Sequence, residues 1–213
     1  MAAPGLNMPD ITRWRGTWTE LGVNEADDEL FAEIMRRYAE PHRRYHTVQH
    51  LDECFAKLDE ARGLAERLSE VELALWFHDA IYDVRSSDNE EQSAQWSQAA
   101  VAAAGLADAV GERVRDLILA TKHDALPCSN DAALLVDVDL AILGAPAERF
   151  DEYERQVREE YSWVPGFLFK RKRREILEGF LRRPDLYTTE HFRTRYEAAA
   201  RANLSRSIQQ LKG

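Results

Sequence analysis

Cysteine is scarce in this 213-residue chain, which holds only Cys54 and Cys128. Two thiols give no framework of disulfides, so a small disulfide-stapled fold is excluded. Long apolar runs are missing too: no window of the length needed to span a bilayer is free of charge. Positive charge is outnumbered, with 28 Lys and Arg against 38 Asp and Glu and a net charge of -10. That balance argues against long-range attraction to duplex nucleic acid or to an anionic membrane. The opening Met1-Ala-Ala-Pro-Gly-Leu lacks the charged and apolar regions of a signal peptide, and the expectation is a cytoplasmic protein. There is no Gly-x-x-x-x-Gly-Lys loop, Gly-x-Ser-x-Gly elbow or His-Glu-x-x-His helix, which sets aside nucleotide-kinase, serine-hydrolase and zincin chemistry.

What is present is helical periodicity. Prolines and glycines at Pro41, Gly63, Gly105, Pro127, Gly144, Pro165 and Pro184 separate segments with apolar residues at helical spacing, such as Leu51, Cys54, Phe55 and Leu58. About nine helices and no strand are expected. The Ser-x-x-Glu pairs Ser69 with Glu72 and Ser87 with Glu90 read as capping boxes, and Asn24 reads as the cap of a helix starting at Glu25. No repeat or low-complexity linker is visible. The expectation is one all-α domain over residues 1–213: a lead-in at 1–24, a core at about 38–145 and C-terminal helices at 146–213.

The chemistry concentrates at His78-Asp79, inside the run Leu73-Ala-Leu-Trp-Phe-His-Asp-Ala-Ile-Tyr82. On a continuous helix both side chains would point among apolar neighbours. A buried carboxylate without a partner costs several kcal/mol, and a cation is the usual remedy. A hydrogen-bonded His-Asp pair in a core is the plainer reading of the same dipeptide. Further residues of ligand type shift the balance. His46 and His50 stand one helical turn apart, Asp137 and Asp139 sit in the apolar run Val136-Asp-Val-Asp-Leu140, and His123 lies between. Nitrogen and oxygen donors without a thiolate suit a divalent ion such as Mn, Mg, Fe or Zn, with one or two ions bound.

At this point the chain resembles the predicted metal-dependent phosphohydrolases of the HD superfamily, named for the His-Asp dipeptide. The resemblance rests on Arg-x-Tyr-His-x-x-x-His at Arg44 to His50, on Phe-His-Asp-x-x-Tyr-Asp at Phe77 to Asp83, and on Asp-Asn-Glu-x-x-Ser-Ala at Asp88 to Ala94. The later stretches Ala120 to His123, Asp137 to Gly144 and Ala200 to Leu204 extend it from about Tyr38 to the C-terminus. It implies a compact HD-type helical bundle with His50, His78, Asp79 and Asp139 as metal ligands. It further implies hydrolysis of a small phosphorylated metabolite, in first place a nucleotide, by metal-activated water. Asp83, Glu90 and His123 would take catalytic roles, orienting water, moving a proton or neutralising phosphate charge. Arg44, His46, Lys122, Lys170 and Arg174 would meet the substrate.

Several of these residues keep alternatives. His46 can line the phosphate pocket, bind a second ion or orient its helix. His123, with Leu119, Ala120 and Leu126 as helical neighbours, also reads as a core histidine. Glu90 has its cap, and it can orient Lys122 as well. The run Phe169-Lys-Arg-Lys-Arg-Arg-Glu175 is expected to open a helix after Pro165-Gly166, and a solvated face explains it equally well. Of the two aspartates, about 200 degrees apart on a helix, Asp139 is chosen because its neighbours Leu135, Val136, Ile142 and Leu143 are bulkier. Other classes stay open: a di-iron oxygenase of the same superfamily, or a non-catalytic helical module that binds a metal or a nucleotide. A homodimer is also left open.

Overall fold

The computed structural model describes residues 9 to 212. They form ten α-helices, with no strand among the described residues. The chain divides between Val138 and Asp139 into two compact units.

The first unit is organised around one helix. It contains α1 (Ile11–Glu20), α2 (Asp28–Tyr38), α3 (Val48–Ala61), α4 (Leu68–Phe77), α5 (Asn89–Ala103), α6 (Asp108–Ala120) and all but the last residue of α7 (Asn130–Asp139). In α4 every residue from Glu70 to Phe77 is buried. A helix that is apolar all round has no solvent face to offer, so it becomes the axis on which others pack, and α1, α3, α5 and α6 all lie against it. Trp76 anchors the contact: its ring lies 5.5 Å from Trp14 at 89°, 4.7 Å from Phe55 and 5.9 Å from Phe31. The two acids of α4 are buried with partners. Glu72 accepts from Arg13 at 2.7 Å and from Thr17 at 2.9 Å, and Glu70 is paired with Arg113.

Three expected helix starts move. Asp27 rather than Asn24 caps α2, its carboxylate accepting from the Glu29 and Leu30 amides at 2.9 Å, so the helix begins at Asp28. Ser69 lies inside α4, and Glu72 is committed to α1 instead of to a capping box. Asp88 holds the cap position of α5, with Ser86 bonded to it, so Ser87 and Glu90 form no box there.

The second unit holds α8 (Ala147–Glu160), α9 (Gly166–Leu181) and α10 (Glu190–Gln210), preceded by a 3-10 turn at Leu140–Gly144. Helix α10 lies on that turn. The Asn203 side-chain amide donates to the Leu143 and Ala145 carbonyls at 2.9 Å each, and the Tyr187 hydroxyl donates to Leu140 O at 3.1 Å. Helix α9 does open at Gly166, directly after Pro165. Its Arg173 is buried against Glu154 and is not part of a free basic face. Lys170 is exposed and Arg174 half-buried, with Glu178 3.8 Å from Arg174. Among the described residues no helix is long and apolar enough to cross a membrane.

Candidate metal centre

The His-Asp dipeptide is not inside a helix. Helix α4 stops at Phe77, His78 occupies its C-cap and Asp79 begins the following turn. The apolar run that looks continuous in sequence is the last turn of a buried helix followed by a bend. This placement delivers His78 to the interior because the helix carrying it is buried, and it turns Asp79 back beside it. His78 is 1% exposed and Asp79 half-buried.

The donor atoms converge. His78 Nδ1 lies 2.8 Å from the Leu75 carbonyl, which can only accept, so that nitrogen carries a proton and Nε2 is the atom turned to the group, free to offer a lone pair once its own proton is lost. His78 Nε2 lies 3.1 Å from His50 Nε2 and 3.2 Å from Asp79 Oδ2, and the His50 Nε2 to Asp79 Oδ2 distance is 3.4 Å. Three points so spaced lie on a circle of radius about 1.9 Å, just inside the about 2.0–2.2 Å bonds that imidazole and carboxylate make to one ion. Within the first unit, His50, Cys54 and His78 each bring one donor atom into a group whose members all lie within 4.8 Å of one another, and such a group could hold a metal ion. Asp139, the last residue of α7, is half-buried and opens the second unit.

Burial pushes the Asp79 carboxyl up, but the charge of His78 and hydrogen bonds from His50 and His78 outweigh it and hold the group well below the ordinary carboxylate range. Glu90, in the first turn of α5, is raised by burial and by the negative charge of Asp79. It therefore stands in the electrostatic reach of the centre. Tyr38 lies beneath the bend: its hydroxyl accepts from the Asp79 amide at 3.3 Å, and burial followed by Asp79 pushes its ionisation well up.

Other expected residues fall differently. His46 precedes α3, because Thr47 takes the N-cap and accepts from the Gln49 amide, so His46 and His50 do not share a helix face. Its ring nevertheless stacks on Tyr82 at 4.1 Å and lies 5.9 Å from His50. Arg44 is exposed and donates to the Pro41 carbonyl. Its neighbour Arg43 is the buried guanidinium, donating to the carbonyls of Asp79 at 2.6 Å, Ala80 at 2.9 Å and His46 at 3.1 Å. Lys122 pairs with Glu91 rather than Glu90. Helix α6 ends at Ala120, so His123 lies in the next turn at φ 58°, and Leu126, expected as its core neighbour, is 88% exposed. Asp83 is exposed and shapes the loop, its carboxylate accepting from the Arg85 amide and its backbone paired twice with Asn89. Asp137, not Asp139, is the more deeply buried aspartate, at 0% exposure. Nearly all of α7 is buried, so bulky neighbours do not rank its faces.

Two residues beside the centre are absent from the sequence expectations, and only the first has a legible signal. Cys54 sits one turn after His50 on the same face of α3, a spacing as informative as that of a histidine pair, and it brings a thiol where only nitrogen and oxygen were expected. Arg43 had no such signal, since two adjacent arginines look alike until one is buried. No family model, curated protein or solved structure matches the chain.

Proposed function

We propose that this chain is a metal-dependent phosphohydrolase of the HD type, acting in the cytoplasm on a small phosphorylated metabolite, in first place a nucleotide. The observation that carries the reading is the convergence of His50 Nε2, His78 Nε2 and Asp79 Oδ2, all within 3.4 Å of each other. His50, His78, Asp79 and Asp139 would hold the ion. A divalent ion bound there supplies Lewis acidity to a phosphoryl oxygen and lowers the pKa of water toward about 7. Around it, Arg43 fixes the main chain of the His-Asp bend, and the Leu75 carbonyl fixes the His78 tautomer. Glu90, its carboxyl raised by burial and by Asp79, is placed to exchange a proton with water at the centre. The His46–Tyr82 stack offers a planar face, which suits a base or sugar.

The test is a phosphate-release screen over nucleotides, nucleoside diphosphates and sugar phosphates, with Mn, Mg, Zn or Fe added to metal-free protein. Metal-dependent release that falls at least about 100-fold in Asp79→Ala is expected. Metal-loaded protein that releases phosphate from none of these classes would refute the proposal. Near-ultraviolet or visible absorption of aerobically purified protein would favour the di-iron oxygenase instead.

A further inference from the structure

The proposed function leaves the basic run of α9 unused, and Lys170, its first cation, lines an open cleft between α8, α9 and the end of α10. The cleft holds about 600 Å³, inside the range of about 300–1,000 Å³ that small-molecule sites occupy. Every residue lining it belongs to the second unit, and none is a proposed metal ligand.

Three acids and three bases line the cleft, so by count it is neutral. Two of the acids are already committed to arginines outside the lining. Glu154 accepts from Arg173 at 3.1 Å and from the Ser207 hydroxyl at 2.7 Å, and Asp151 accepts from Arg206 at 2.6 Å. Arg155, Arg158 and Lys170 then face a single further acid, Glu159, which leaves an excess of positive charge in a chain whose net charge is -10. Arg155 and Lys170 are exposed and make no ion pair among the described residues. Arg158 plays a different part. Its guanidinium lies 4.7 Å from the centre of the Phe169 ring and is held by the carbonyls of Tyr161 at 2.7 Å and Val164 at 3.1 Å. Guanidinium and ring form a fixed planar surface beside Leu211, and a flat ligand can stack on it without ordering a side chain first.

We propose that this cleft binds a ring-bearing phosphate monoester of the nucleoside monophosphate class. A phosphate monoester carries about -1.5 to -2 charges at pH 7, which suits two unpaired cations better than a singly charged carboxylate does. The phosphate would meet Arg155 and Lys170, and the base would lie on the Arg158–Phe169 surface. Binding alone is proposed, and no bond is made or broken.

Calorimetric titration of the full chain, freed of metal so that no turnover contributes, tests the site with the adenosine, guanosine, cytidine and uridine monophosphates, with adenosine and with inorganic phosphate. At least one monophosphate should bind once per chain, with adenosine and inorganic phosphate at least about tenfold weaker. Combining Arg155→Ala with Lys170→Ala should weaken the monophosphate at least about tenfold, and both side chains are exposed, so the fold is retained. Phe169→Leu should weaken the monophosphate and leave inorganic phosphate unchanged. Lys172→Ala is the control, since Lys172 lies on α9 outside the cleft and pairs with Glu175 at 3.0 Å, and it should bind as the wild type does. Binding of no monophosphate, binding that survives the paired substitution, or an equal loss in Lys172→Ala would overturn the site. Failure of the phosphate-release screen would leave it standing.

Discussion

Arg43→Ala should be among the most damaging substitutions around the bend, and Arg44→Ala, one residue on, among the mildest. The Arg43 side chain is fully buried and donates to three carbonyls, two of them on the Asp79-Ala80 turn that follows the central helix. Its truncation leaves those acceptors short of a donor, at about 1–3 kcal/mol each, with water recovering part of the loss. A net cost of about 3–5 kcal/mol follows, also the range for breaking a buried charged contact. Against a total stability of about 5–15 kcal/mol this is a large fraction. Arg44 is exposed, and its replacement should cost about 0.5 kcal/mol. Urea unfolding followed by tryptophan fluorescence measures both, and metal content measures the bend itself. An Arg43→Ala protein that unfolds no earlier than Arg44→Ala, or that holds its metal equally well, would refute the reasoning.

Two other expectations follow from the same geometry. A Cβ at Gly144 would meet Tyr196 Cβ at 2.7 Å, the Tyr196 carbonyl at 2.9 Å and the Tyr187 hydroxyl at 3.0 Å. Gly144→Ala should therefore destabilise the second unit by about 1–3 kcal/mol, read as a lowered thermal midpoint, and an unchanged midpoint would show that the turn and α10 are free to separate. Metal affinity should fall as pH is lowered through the imidazole range near about 6.5, because protons compete with the ion for His50 and His78. The slope is about tenfold per pH unit for each imidazole that must lose a proton, measured by competition with a chelator, and a flat profile from pH 5 to 8 would argue against imidazole ligation.

The helical class was legible because period and punctuation are local: Pro165-Gly166 does open α9, and the apolar run before His78 does form a buried helix. Helix ends were harder to read, since they depend on which polar group wins a backbone amide. Asp27 outcompetes Asn24, and Thr47 captures the start of α3 and leaves His46 outside it. The His78-Asp79 bend shows the same limit. Nothing in Leu73 to Tyr82 marks a helix stop, and the bend is fixed from a distance by Arg43 and Tyr38. Cys54 differs again: two cysteines carry no disulfide framework, yet its one-turn spacing from His50 puts a thiol beside the imidazole. The core alternative for His123 depends on helical neighbours that the chain does not supply, because α6 ends three residues earlier.

The most direct test of the central claim is elemental analysis of the purified protein beside His78→Ala, after both are incubated with zinc, iron and manganese and freed of excess ion. One or two ions per chain are expected in the wild type, and their loss in His78→Ala together with reduced stability, since the remaining acids and imidazole are left without a cation. A wild-type protein that retains no ion, or a His78→Ala protein that retains full occupancy, would contradict it.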